Sequence, residues 1–318
     1  MSPRARNART DEMVFRAGTG AFAIVLIGIV VAIAVALVSE SRLSIRHFGW
    51  SFWQTDVWDP VLGEFGARPF IWGTLYSSVL ALLISTPIAL GIAIYTSELA
   101  PAWLQRPLVF LTELLAAIPS IVYGLWGIFV LVPFVRQLQV ATPEWLRSVP
   151  LFSGPPLGVG MLSAALILSI MVIPFSSSVA REVLKSVPQA QREGAYALGA
   201  TRWEAIRMAL FYARTGIIGA VMLGFGRALG ETMAVTMVIG NNPQVSLSLY
   251  APQYTMAAVL ANEFAEATGD LHLHALVEIG LVLFVITLII NAMSRMLIWS
   301  MGRQRRPTPL RAARKAAA

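Results

Sequence analysis

The chain has no cysteine, only three histidines, and a charged fraction of just 13% over its 318 residues. Each shortage excludes something. Without cysteine there are no disulfides, no thiol nucleophile and no thiolate metal site. The three histidines (His47, His272 and His274) have no cysteine beside them and fall short of a metal centre. The lysines are Lys185 and Lys315, and neither follows a glycine-rich loop, so the chain itself cannot hydrolyse ATP by a phosphate-loop mechanism. No nucleophile–base pair stands out, which argues against an intramembrane enzyme. The charged fraction is about half that of a soluble domain, while 57% of residues are hydrophobic.

Long apolar runs take up the difference. Six stretches reach the ~18–20 residues needed to cross a bilayer: 20–38, about 70–97, 108–135, 157–179, 215–240 and 274–299. The expected class is an all-α, polytopic membrane protein with six transmembrane helices. The first run follows a 19-residue polar tail and is long for a signal peptide, so it is expected to be a retained anchor. Residues 39–69 form an external loop, because Trp50, Phe52, Trp53 and Trp58 suit a membrane–water interface. Residues 70–300 make the transmembrane domain and 301–318 a basic tail. Pro87 is kept inside helix two, and Ile118-Pro119-Ser120 should kink helix three near mid-membrane. A loop is expected from Asn241 to Leu273.

Arginine and lysine concentrate in the two tails and the segment 181–214, with Arg106 alone in the 98–107 turn, whereas 241–273 has neither. This bias places both termini and the 181–214 segment in the cytoplasm. The net charge of +7 reflects that bias and not nucleic-acid binding.

The polar segment 181–213 carries two capping patterns, Ser186-Val-Pro-Gln189 and Thr201-Arg-Trp-Glu204. Gly199 between them suits the left-handed residue that ends a helix. The pattern predicts a short helix over Gln189–Leu198, a tight turn, and a second helix from Arg202. A short surface helix must pack under its own bundle or dock into a partner's groove.

Arg227 and Glu231, four residues apart, are expected on one face of helix five, roughly 18–24 Å along its axis. Two readings are open: a self-neutralising pair that helps pack helices, or an anion path in which Arg227 attracts and Glu231 prevents over-tight binding. The second carries more weight, since ionisable groups inside a membrane are functional by default. Glu113 either joins that path or pairs with a cytoplasmic arginine, and Glu278 reads as structural near the outer interface. Gly224, Gly226 and Gly230 would let helices approach closely.

Glu193-Gly194-Ala195, followed by Gly199 and by Arg202-Trp203, resembles the EAA loop of ABC importer permeases. It departs from the usual pattern at Gly194 (normally alanine), Ala209 (normally isoleucine), Phe211 (normally leucine) and Tyr212 (normally proline). In that family the loop forms a coupling helix that inserts into the ATP-binding subunit. The runs G224-F-G-R-A-L-G-E-T-M-A-V, E113-L-L-A-A-I-P-S-I-V-Y-G124, F48-G-W with W58-D-P, and E278-I-G-L-V-L-F extend the likeness. Together they resemble the PstC-type permease family of phosphate-specific ABC importers, from about Phe48 to Met296. The resemblance implies a type I ABC importer permease fold in a bacterial inner (cytoplasmic) membrane. It implies as partners a second homologous permease subunit, two copies of an ATP-binding subunit and an external phosphate-binding protein. It implies no cofactor in this chain, ATP being bound by the partner. The alternative is a stand-alone secondary transporter of another small anion, for which inverted repeats and two unwound half-helices would be expected. Neither is evident.

Overall fold

The computed structural model describes residues 3–303, and side chains from 15 to 301. The expected basic tail 301–318 lies outside the described residues beyond Arg303. The elements are α1 (Pro3–Glu40), α2 (Arg42–Phe48), β1 (Trp58–Asp59), β2 (Glu64–Phe65), α3 (Arg68–Ile94), α4 (Ala102–Ala117), α5 (Ser120–Trp126), α6 (Val132–Ala141) and α7 (Glu144–Arg147). They continue with α8 (Met161–Lys185), α9 (Gln189–Ala197), α10 (Arg202–Leu229), α11 (Met233–Val238), α12 (Met256–Glu263) and α13 (Asp270–Arg303). The strands form one small antiparallel hairpin pairing Trp58 with Phe65. Among the described residues six helical stretches are long and apolar enough to span a membrane: Phe15–Glu40, Arg68–Leu99, Ser120–Ala141, Met161–Lys185, Arg202–Leu229 and Asp270–Met301.

The count of six agrees with the sequence, but two helices are broken where continuity was expected. Ile118 and Pro119 are both extended, with ψ of 129° and 141°. A proline disfavours helical geometry in the residue before it, so the Ile118–Pro119 step is a full break and not a kink. The third span therefore begins at Ser120, and α4 stands apart from it. Helix five likewise starts at Arg202 and stops at Leu229. Gly230 to Thr232 are not helical, and α11 resumes at Met233. The first helix also begins well before the expected boundary at residue 20.

The 240–255 stretch is not a surface loop. Its carbonyls at Leu249 and Ala251 accept hydrogen bonds from the amides of Leu162 and Met161, the opening residues of α8. Those amides have no partner within their own helix, so the returning chain caps α8. From α3, the Trp72 indole and Tyr76 hydroxyl donate to the carbonyls of Ser246 and Leu247. Irregular backbone at membrane depth is tolerated only when protein satisfies it in this way.

α8 lies at the centre. Its Ile167, Leu168 and Val172 pack with Val235 and Val238 of α11 and with Ala81 of α3. Ala180 and Leu184 close a second cluster with Ala93 of α3 and Ala209, Ala213 and Ile217 of α10. A third cluster, at the hairpin end, joins Phe52, Phe65 and Phe70 to Met256, Leu276 and Ile279. Gly73 on α3 permits the closest of these approaches, because a Cβ there would sit on the Tyr254 carbonyl. Gly73→Ala is expected to destabilise the fold by about 1–3 kcal/mol through overpacking. Gly91→Ala, inside the same helix but facing open space, should be neutral or stabilise by up to about 1 kcal/mol, and detergent-solubilised melting temperatures of the two variants test the contrast.

Candidate functional site

Two polar centres sit at different levels of the bundle. The first surrounds Arg227 on α10, whose guanidinium carbon lies 4.6 Å from the centroid of the Phe175 ring on α8. A cation over an aromatic face is attracted by the ring quadrupole. The Arg227 Nε is buried with no hydrogen-bond partner. Beside it lies a cavity of about 440 Å³ whose lining includes Phe175, Gly226, Arg227, Glu231, Thr287 and Asn291. Glu231 is not on the same helical face as Arg227, because α10 ends at Leu229 and Glu231 belongs to the link before α11. No ion pair joins the two among the described residues, yet both line one cavity.

The three glycines divide in the same way. Gly224 does allow close helix approach, since a Cβ there would meet Ser176 and Val172 of α8. Gly226 and Gly230 do not: a Cβ on Gly226 meets nothing within 4 Å, and one on Gly230 meets only the Gly226 carbonyl at 3.9 Å. Their missing side chains leave room for the cavity. Glu113 is elsewhere, on α4, with its Oε1 3.8 Å from an Arg181 nitrogen of α8. Glu278 is buried at 3% exposure and lines neither centre.

The second centre lies at the end of the bundle that carries α9. Glu98 sits in a π-helical turn that prolongs α3 over Tyr95–Leu99. Its carboxylate accepts two hydrogen bonds from Arg192 of α9, at 2.6 and 3.3 Å. The same guanidinium donates to the carbonyls of Leu184 and Val187 at the end of α8, at 2.9 and 2.7 Å. Arg202, in the first turn of α10, donates to the Glu98 carbonyl at 2.7 Å. Glu98 and Arg192 between them thus tie together α3, α8, α9 and α10. The pair is well covered, with side chains 12% and 21% exposed.

On this framework α9 faces outward. Glu193 and Gly194 are exposed and Ala195 is buried beneath them. Gly199 has φ +80°, the left-handed geometry that ends α9 and that a larger residue adopts only with strain. Tyr196 is 50%, Leu198 90% and Trp203 62% exposed, an apolar rim that water covers poorly. The Thr201–Glu204 capping box forms in both directions. The Ser186 box does not. Pro188 is the N-cap of α9, and the Ser186 hydroxyl donates back to the Val183 carbonyl, because Ser186 still has helical geometry closing α8.

Sequence reasoning missed Phe175, Thr287 and Asn291, which reach the Arg227 cavity only through helix packing. It also missed Glu98 and Arg192. An acidic residue directly after an apolar run is a signal of sorts, but the partner lies 94 positions away.

Residues 85–302 match the family described as binding-protein-dependent transport system inner membrane component. The chain belongs to this family. It is 48% identical over 296 residues to the phosphate transport system permease protein PstC of Haemophilus influenzae, covering 91% of this chain and 94% of that protein. It is 46% identical over 299 residues to the protein of the same name from Mesorhizobium japonicum, covering 92% and 91%. A probable PstC permease of the archaeon Methanocaldococcus jannaschii is 40% identical over 255 residues, covering 78% and 81%. Among solved structures, a chain of the methionine ABC transporter MetNI, from work on its inward-facing conformations, matches with a TM-score of 0.55 at 16% identity, covering 73% of this chain and 94% of that one. The type I ABC importer permease fold expected from the sequence is the fold present.

In an inner membrane component of this kind, the Glu98–Arg192 pair is the structural link between α9 and the spans. Glu98→Ala leaves the covered Arg192 guanidinium without its counter-ion, a change that costs about 3–5 kcal/mol at buried pairs. Hydrogen exchange over residues 189–200 is expected to speed up accordingly. Arg192→Leu, which removes the bonds to Glu98 and to the Leu184 and Val187 carbonyls together, is expected to speed exchange at least as much.

Proposed function

We propose that this chain is a transmembrane permease subunit of an ATP-driven inorganic phosphate importer, forming half of its translocation path. The observation that carries the reading is Arg227, a guanidinium with an unpartnered buried Nε at the edge of a cavity inside the helical bundle. Guanidinium presents a planar set of donors that matches an oxyanion. Glu231 on the same cavity supplies a negative charge that keeps such a site from binding too tightly. Phosphate as the anion is supported by the names of relatives 46–48% identical over more than nine-tenths of the chain.

The orientation we propose puts the α9 end in the cytoplasm, with both termini, in keeping with the positive-inside bias. Residues Glu193, Gly194, Ala195, Gly199, Arg202 and Trp203 then present the exposed apolar rim to a separate ATP-binding subunit, which we place there in two copies. A second homologous permease completes the path, and an external phosphate-binding protein delivers the anion at the hairpin end. ATP-driven closure of the two ATPase subunits would push α9. The Glu98 node would pass that motion to α3, α8 and α10, switching access to the Arg227 cavity from one side of the membrane to the other. A secondary transporter would have no use for an exposed Tyr196, Leu198 and Trp203 beside a helix tied to three spans.

Arg227→Gln is expected to cut radiolabelled phosphate uptake at least about tenfold, while co-purification shows an intact complex. Glu193→Lys or Gly199→Arg should leave membrane insertion unchanged and uncouple ATP hydrolysis from uptake. Normal uptake by either variant would remove the docking assignment.

A further inference from the structure

Arg181 near the α9 end of α8 is used by nothing described so far, and its surroundings are unusual. Its side chain is only 13% exposed, while the two carboxylates beside it are largely in the open, Glu113 at 60% and Glu182 at 63%. Glu182 lies 2.9 Å away on the same helix. Glu113 approaches from α4 at 3.8 Å, too far for a hydrogen bond. The cation is therefore held in place and its counter-ions are displaceable. A cavity of about 560 Å³ opens here, lined by Glu113, Ser178, Arg181, Glu182 and Ser186 with two valines.

This cavity is aligned with the Arg227 centre. Phe175, Glu182 and Ser186, with the adjacent Ser178 and Val179 three and four residues after Phe175, share one face of α8. Phe175 at the top of that stripe carries the Arg227 guanidinium. Ser178, Val179, Glu182 and Ser186 below it line the second cavity. α8 is otherwise the most buried span, yet this stripe is left partly or fully exposed. Arg181 lies about 9 Å further along the axis than Phe175, at 1.5 Å per residue.

We propose that Arg181 is a second anion-holding station at the cytoplasmic mouth, and that Glu113 is the counter-ion an arriving oxyanion displaces and whose return expels it. The proposal rests on the phosphate-path reading of Arg227. A brace between α4 and α8 would use the same two residues, but the two roles differ in sign. Removing either half of a brace has the same effect, whereas removing Glu113 from a station strengthens it and removing Arg181 weakens it.

The test is equilibrium binding of radiolabelled inorganic phosphate to the nucleotide-free permease–ATPase complex in nanodiscs, without the external phosphate-binding protein and in an Arg227→Gln background, so that neither that protein nor the first centre contributes. Uptake is measured in parallel in the otherwise native complex. Adding Glu113→Gln is expected to tighten binding several-fold, and as a single change to slow uptake. Adding Arg181→Gln should weaken binding about tenfold, with Arg181→Lys in between. Equal effects of the same sign, or no change in binding from either substitution, would overturn the station. If Arg227→Gln alone leaves uptake normal, the phosphate-path reading falls and this proposal with it. If Arg227→Gln abolishes uptake while Arg181→Gln changes neither binding nor uptake, the second station alone is wrong.

Discussion

A charged side chain on a membrane-spanning helix costs about 2.5–3.5 kcal/mol on insertion scales unless protein or water receives it. Arg227 faces that constraint, and much of the interior is arranged to meet it. Phe175 offers an aromatic face, and Gly224 lets α10 lie directly against Ser176 of α8. The helix then stops two residues after Arg227, so that Gly230 to Thr232 unwind and Glu231 reaches the same cavity. A continuous helix with bulkier residues at Gly226 and Gly230 would have filled this space. The break costs backbone hydrogen bonds, and the chain recovers some locally: the Thr232 hydroxyl donates to the Gly230 carbonyl, and the Thr232 carbonyl accepts from the Thr236 amide as α11 begins.

At the opposite end of α8 the chain solves a mechanical problem. A nine-residue helix such as α9 has too few hydrogen bonds to stay folded alone, and it would transmit little if loosely attached. Arg192 fixes it by bonding at once to the Leu184 carbonyl of α8, to the Val187 carbonyl just beyond it and to Glu98. Arg202 brings α10 to the same residue. Displacement of α9 must therefore move three spans or break a covered ion pair. The proposed coupling to an ATPase depends on that stiffness as much as on the apolar rim of Tyr196, Leu198 and Trp203.

What was legible in the sequence was what is decided locally. Six apolar runs gave six spans, and Gly199 with the Thr201–Glu204 box bounded α9 to within one residue. Caps and chain periodicity involve neighbours a few positions apart, and so they show in the pattern. The Ile118–Pro119 break was placed correctly but expected as a kink, and the break at Gly230–Thr232 was not seen at all. An apolar run looks the same whether or not its backbone stays helical, and tertiary partners settle the matter. The folded-back 240–255 stretch was invisible for the same reason, its polarity resembling a surface loop while its carbonyls are spent on α8. The ion pair between Glu98 and Arg192, and the Phe175 ring under Arg227, are long-range contacts that no spacing encodes.

The central claim is that the space beside Arg227 is an aqueous anion path and not a packing defect. The absence of native cysteine allows a direct test, since Gly226→Cys places one thiol in open space on that cavity wall. Its reaction with a membrane-impermeant thiol reagent would be followed in the assembled complex, with and without inorganic phosphate. The account predicts labelling that phosphate slows and that changes side when the ATPase is trapped closed. A thiol that stays unreactive from both sides in both states would contradict it.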